Sequence, residues 1–209
     1  MTLPQTVMSE HGLTVEGAGP ELLAELLAEY GSILRRTSPH VWESMVPGLT
    51  RDEIVKGLEG VGLPAPDELV AWWTWRNGHV PGVPHGLSFP LPQYSLEQAL
   101  RYREDDEDFA FELLPSDSWL RVAGEGLKRS VGVNHDSTID ALVVRGLAPE
   151  FDGLYGKVTH GQAVSMCTFM TWQLVAIDEG WNKYDSSTGF WRVVHPEEYP
   201  LEWLLTGLI

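Results

Sequence analysis

This sequence predicts an α+β fold: N-terminal helices, a mostly antiparallel sheet in the C-terminal half, and a final long helix packed on that sheet. Three observations predict it. Apolar residues recur at helical spacing between Leu22 and Leu34 and again between Leu69 and Trp75. After Pro115 the period shortens toward two, with strand-like runs at 119–123, 128–134 and 139–144. From Ser165 the helical period returns, placing Met166, Phe169, Met170, Gln173, Leu174 and Ile177 on one side up to Gly180. Short strands joined by short turns favour antiparallel pairing, because parallel neighbours need long crossovers.

Residues 1–19 are polar, glycine-containing and aperiodic, and read as a flexible N-terminal tail. Residues 20–209 read as a single domain with a C-terminal extension. In the first helix Pro20 suits an opening position, Glu21, Glu25 and Glu29 make a wet stripe, and Arg35 and Arg36 suit the C-terminal end of the dipole. Ser38-Pro39 starts a short helix through Val41, Trp42 and Met45, ended by Pro47-Gly48. Thr50 and Glu53 have capping-box spacing ahead of Ile54, Val55 and Leu58.

The next segment runs from Leu63-Pro64 through Asp67, Glu68, Leu69, Val70, Trp72, Trp73 and Trp75 to Asn77-Gly78. Acids at its start suit the helix dipole, and Asn77-Gly78 supplies residues tolerant of positive φ for a C-cap. Its aromatic area exceeds what one face needs. A helix buried on two sides accounts for that, with a tryptophan-lined ligand groove as the alternative. Residues 79–94 hold Pro81, Gly82, Pro84, Gly86, Pro90 and Pro92, so an irregular connection is expected, with at most a short strand near Phe89–Leu91. Ser95 and Gln98 can cap a helix from Leu96 that runs into Glu104, Asp105, Asp106, Glu107 and Asp108. Another strand is expected at Tyr155–Thr159, an extended piece at Gly189–Val194 and an apolar end at Leu201–Ile209.

Composition narrows the function classes. The 209 residues carry 30 acids against 14 Lys and Arg, a formal charge of −16. That balance disfavours phosphate-lined partners such as nucleic acid or anionic membranes, which need clustered cations, and favours a basic protein partner. With 43% hydrophobic residues and nine Trp, general disorder is excluded. One cysteine, Cys167, rules out an internal disulfide framework and fits a reducing cytoplasm. Residues 1–19 have no Lys or Arg and no apolar stretch, unlike a secretory signal, and no apolar run is long enough to span a membrane.

No enzyme chemistry is expected. Cys167 lies inside an apolar helix pattern, where a buried inert thiol is the simplest reading, although His160 is seven residues upstream. His135-Asp136 are adjacent on an extended chain and so point to opposite faces. His79 and His85 lack the helical spacing of a zinc pair, so no metal and no cofactor are expected. Glycine-rich phosphate loops, dinucleotide fingerprints and the nucleophile elbow do not occur. The acidic run Glu104–Asp108 is read first as a solvated segment, second as a docking surface for a basic protein and third as a cation site; it is the candidate for partner binding.

The order of landmarks resembles the SUKH superfamily, named in part for a yeast cell-wall-synthesis regulator. The residues that carry the resemblance are Leu63-Pro64, the Trp-rich helix, the closing Asn77-Gly78, Trp119-Leu120 opening a meander and the Ser165-initiated last helix. By order of elements it covers roughly residues 20–185. Two departures stand out: no proline follows Trp119-Leu120, and the 135–155 insertion is long. The resemblance implies an α+β domain without a catalytic constellation. It implies either a bacterial immunity protein that binds and neutralises a toxin, or a regulatory or scaffold interaction protein with no toxin partner.

Overall fold

The computed structural model describes residues 3–9, 12–80, 93–105, 119–124, 129–134, 142–147 and 164–194. It is a mixture of helices and small, mainly antiparallel sheets. In chain order the elements are β1 (Thr6–Ser9), β2 (Gly12–Val15), α1 (Pro20–Thr37), α2 (Pro39–Ser44), β3 (Met45–Pro47), α3 (Arg51–Glu59), α4 (Asp67–Trp75) and β4 (Arg76–His79). They continue with α5 (Leu96–Asp105), β5 (Trp119–Gly124), β6 (Arg129–Asn134), β7 (Leu142–Leu147), β8 (Val164–Ser165), α6 (Met166–Asp178), β9 (Asn182–Asp185) and β10 (Phe190–Val193).

The helix α1 organises the core. Its apolar stripe of Leu23, Leu26, Leu27, Tyr30, Ile33 and Leu34 is buried, while Glu21 and Glu25 stay in water. α2, α4 and α6 pack around it. α3 opens on the expected capping box: Thr50 Oγ1 accepts from the Glu53 backbone N–H at 3.3 Å, and Glu53 Oε2 accepts from the Thr50 backbone N–H at 2.8 Å. α5 opens on a second box, in which Ser95 Oγ accepts from the Gln98 N–H at 3.1 Å and Gln98 Oε1 from the Ser95 N–H at 2.9 Å. α6 begins at Ser165, whose Oγ accepts from the Thr168 N–H. It is buried nearly all round, Thr168, Thr171 and Gln173 included, so its expected one-sided stripe understates its burial.

Six strands pair antiparallel within two groups, β1 with β2 and β5–β6–β7–β8 in succession, and β2 meets β8 in parallel. Two smaller antiparallel pairs, β3–β4 and β9–β10, stand apart. β5 and β6 are joined by residues 125–128, and β7 begins three residues after Ile139, at Leu142.

Four expectations need correction. The segment 1–19 is not simply a flexible tail: Thr6–Ser9 and Gly12–Val15 form a strand pair joined to β8. Its alternation is too short to register as a strand, and its order comes from distant partners. Val15 is buried, Thr14 Oγ1 donates to Ser165 Oγ at 3.4 Å, and Trp172 Nε1 donates to Thr6 Oγ1 at 3.1 Å.

The second correction concerns Asn77-Gly78, which does not cap α4. That helix ends at Trp75, Arg76 is extended, and Asn77 and Gly78 lie in β4, paired with β3. Asn77 Oδ1 instead accepts from the Leu96 N–H at 2.8 Å, serving the start of α5. Third, the helix through Val41 ends at Ser44, and Met45 belongs to a strand held against β4. Fourth, Asn182–Asp185 forms a strand, β9, where none is expected; it pairs with β10 through Asn182↔Val193 and Asp185↔Phe190. The expected strands at 89–91 and 155–159, and the apolar end at 201–209, lie outside the described residues.

Candidate functional site

α4 and β4 are the structural centre of the region that carries the sequence landmark. Leu63, Leu69, Trp72 and Trp73 are buried, and Trp73 is fully so. Trp73 Nε1 donates to the Tyr94 carbonyl at 3.1 Å. Gln93 Nε2 donates to the carbonyls of Trp72 and Arg76, which ties off the last turn of α4 together with the Arg76 backbone N–H on the Trp72 carbonyl. Gly78 has φ 77°, and a Cβ there would meet the backbone of Ser95 and Tyr94. The dipeptide is therefore a junction that lets β4 lie against the start of α5. Of the two readings of the Trp-rich helix, burial on two sides holds for Trp72 and Trp73.

Trp75 is half-buried and differs from its neighbours. It lines a groove of about 450 Å³ between α1 and α4, with Ala24, Val70 and Ala71 also in its wall and the exposed Arg51–Asp67 ion pair, 2.7 Å, on its rim. That exposed pair contributes little to stability. On its other side Trp75 packs on Tyr30 and Trp42, with ring centroids at 5.9 and 6.3 Å. The Trp42 ring carries two guanidinium groups: that of Arg76 lies 3.7 Å from its centroid and that of Arg35 4.5 Å. Burial, and then the neighbouring Arg35 charge, hold the Arg76 guanidinium below the usual arginine range. Three separate segments, α1, α2 and β4, build this aromatic and basic patch.

The acidic run is placed in part. Glu104 and Asp105 form the end of α5, where the helix dipole disfavours anions, and Asp106, Glu107 and Asp108 lie outside the described residues. The groups weighed for chemistry have structural engagements. Cys167 is fully buried, and its thiol donates to the Gly19 carbonyl at 3.4 Å and lies 3.8 Å from Oε1 of the buried Glu68. Ser44 Oγ and His79 Nδ1 share a hydrogen bond of 2.9 Å that ties α2 to β4. The His40 and Tyr184 rings meet at a tilt of 47°, their centroids 5.8 Å apart. His85, His135, Asp136 and His160 lie outside the described residues. Among the described residues no group of three or more His, Cys, Asp or Glu side chains is arranged to hold a metal, and no helix is long and apolar enough to cross a membrane.

The Arg35–Trp42–Arg76 cluster escapes sequence reasoning, which assigns Arg35 to the helix dipole and Trp42 to packing. Their separation along the chain leaves no spacing signal; only the unusual number of Trp points to exposed aromatic surface. In comparison with known proteins, no family model matches the chain and no curated protein matches it.

Proposed function

We propose that this chain is a SUKH-like α+β domain, its last helix packed on a mostly antiparallel sheet, that acts by binding another protein rather than by catalysis. Its role in this reading is that of an immunity protein, which binds and neutralises a cognate bacterial toxin in the cytoplasm. The observation that carries the reading is the junction at Asn77-Gly78. The residues of the family resemblance have related structural jobs: Leu63 and Trp73 fill the core, Asn77 receives the Leu96 N–H, and Gly78 allows the close approach to Ser95. A landmark spent on packing leaves function to the surface, as in a binding module.

The net charge of −16 supports a basic partner, steered by long-range attraction. Glu104, Asp105, Asp106, Glu107 and Asp108 are its proposed contact. Co-expression with toxin domains encoded beside this gene tests the reading, with growth rescue as the expected result. Replacing the five acids by Gln or Asn should slow association at low salt and change dissociation less, because peripheral charges act on encounter. An unchanged association rate sinks the contact assignment. Absence of rescue with every neighbouring toxin, together with capture of a host protein, favours a regulatory or scaffold protein instead.

A further inference from the structure

Arg35 and Arg76 place like charges against one indole. The Arg35 guanidinium donates to Ser32 Oγ at 3.2 Å, and Arg76 reaches only the Met45 carbonyl, at 3.5 Å. The Arg76 Nε is buried without an acceptor. Among the described residues, Arg51 pairs with Asp67 and Arg192 with Asp185, whereas neither Arg35 nor Arg76 takes part in an ion pair. This is notable in a chain with more than twice as many acids as Lys and Arg. Stacking on Trp42 offsets part of the cost of holding two cations together, since the indole face attracts a guanidinium. It supplies no negative charge. The C-terminal end of α1 favours Arg35 but lies on a different segment from Arg76.

A carboxylate resolves each of these deficits. It neutralises the mutual repulsion, and its paired oxygens match the planar donor edge of a guanidinium. The half-buried Trp42 and Trp75 beside it offer apolar surface for the stem of the side chain. We infer that Arg35, Trp42 and Arg76 form a binding site for an Asp or Glu side chain presented by a protein partner. This site shares no residue with the acidic run Glu104–Asp108 and carries the opposite charge, so it stands independently of the toxin reading. A partner that used both surfaces would have to present a carboxylate and a basic patch in one orientation, which makes recognition directional.

The test uses the full chain labelled with ¹⁵N and follows the tryptophan indole N–H signals, Trp42 being assigned as the one lost in Trp42→Phe. The probe is an N-acetylated, C-amidated hexaglutamate peptide, with hexaglutamine and inorganic phosphate as controls. The expected result is a saturable shift of the Trp42 signal with hexaglutamate alone. The shift should disappear at about 1 M salt, where the screening length falls to about 3 Å. Arg35→Gln should weaken the peptide about tenfold, the scale of one charge-assisted hydrogen bond. Arg35 is exposed, so this variant keeps the fold; Arg76→Gln is the second variant, its integrity read from the other indole signals. An unmoved Trp42 signal, an equal shift with hexaglutamine, or full binding by Arg35→Gln overturns the assignment. Phosphate shifting the signal as strongly as hexaglutamate overturns it too, in favour of a phosphate site.

Discussion

Gly78→Ala tests the junction on which the reading of the fold depends. Gly78 sits at φ 77°, where an L-residue with a Cβ costs about 1–2 kcal/mol. An added Cβ would also lie 2.5 Å from the Ser95 nitrogen, 3.0 Å from its Cα and 3.1 Å from the Tyr94 carbonyl carbon. All three are backbone atoms, so no side-chain rotation relieves the contact. Moving Ser95 strains the capping box of α5 and the Asn77–Leu96 bond together. Overpacking of this kind costs about 1–3 kcal/mol, giving about 2–5 kcal/mol in all.

Gly62→Ala is the internal control. Its φ is 75°, yet nothing lies within 4 Å of an added Cβ, so it carries the conformational cost without the collision. Both variants gain the same small advantage from a stiffer unfolded chain, about 0.4–1 kcal/mol. The difference between them therefore isolates the contact with Ser95. Urea unfolding followed by tryptophan fluorescence and far-ultraviolet circular dichroism measures it. At about 2–4 °C per kcal/mol for a chain of this size, the Gly78 variant should also melt well below the Gly62 variant. If Gly78→Ala costs no more than Gly62→Ala, the close approach of β4 to α5 is refuted.

Two further predictions concern α4 and α3. Trp73→Ala should cost about 3–5 kcal/mol, since it empties a fully buried volume and removes the hydrogen bond to the Tyr94 carbonyl, whereas Trp75→Ala, at a half-buried ring, should cost less; equal losses in chemical denaturation would contradict the packing described. The Glu53 carboxyl is held below the ordinary glutamate range by hydrogen bonds from the Thr50 side chain and then from the Thr50 backbone. A depressed folded-state pKa stabilises above the unfolded value and loses that contribution as pH falls through the folded value. The stability advantage of wild type over Glu53→Gln should therefore be present at neutral pH and shrink as pH drops below the glutamate range, and an advantage that grows on acidification would contradict the cap.

Local chemistry made much of α1, α3, α5 and α6 legible. Their signals lie within a few residues: the Leu22–Leu34 stripe, the Thr50/Glu53 and Ser95/Gln98 boxes, and Ser165 ahead of an apolar run. Capping and amphipathic spacing act over one or two turns, so the chain displays them without its partners. Asn77-Gly78 was legible as special, but its job was not. Whether a glycine at positive φ ends a helix or lets a strand approach a neighbour depends on what lies opposite, and here that is Ser95, seventeen residues on.

The same limit governs the rest. Thr6–Val15 carries too few alternating residues to order itself, and its strands exist because Ser165 and Trp172 supply partners from the far end of the chain. Arg35, Trp42 and Arg76 look unremarkable apart, since each has an adequate local explanation. By itself the sequence determined the acidic balance and the helices with local signals. Tertiary structure decided the pairing of the N-terminal strands, the role of Gly78 and the meeting of two guanidiniums on one indole. Contacts between distant segments depend on how the segments pack, and no short-range residue pattern encodes that.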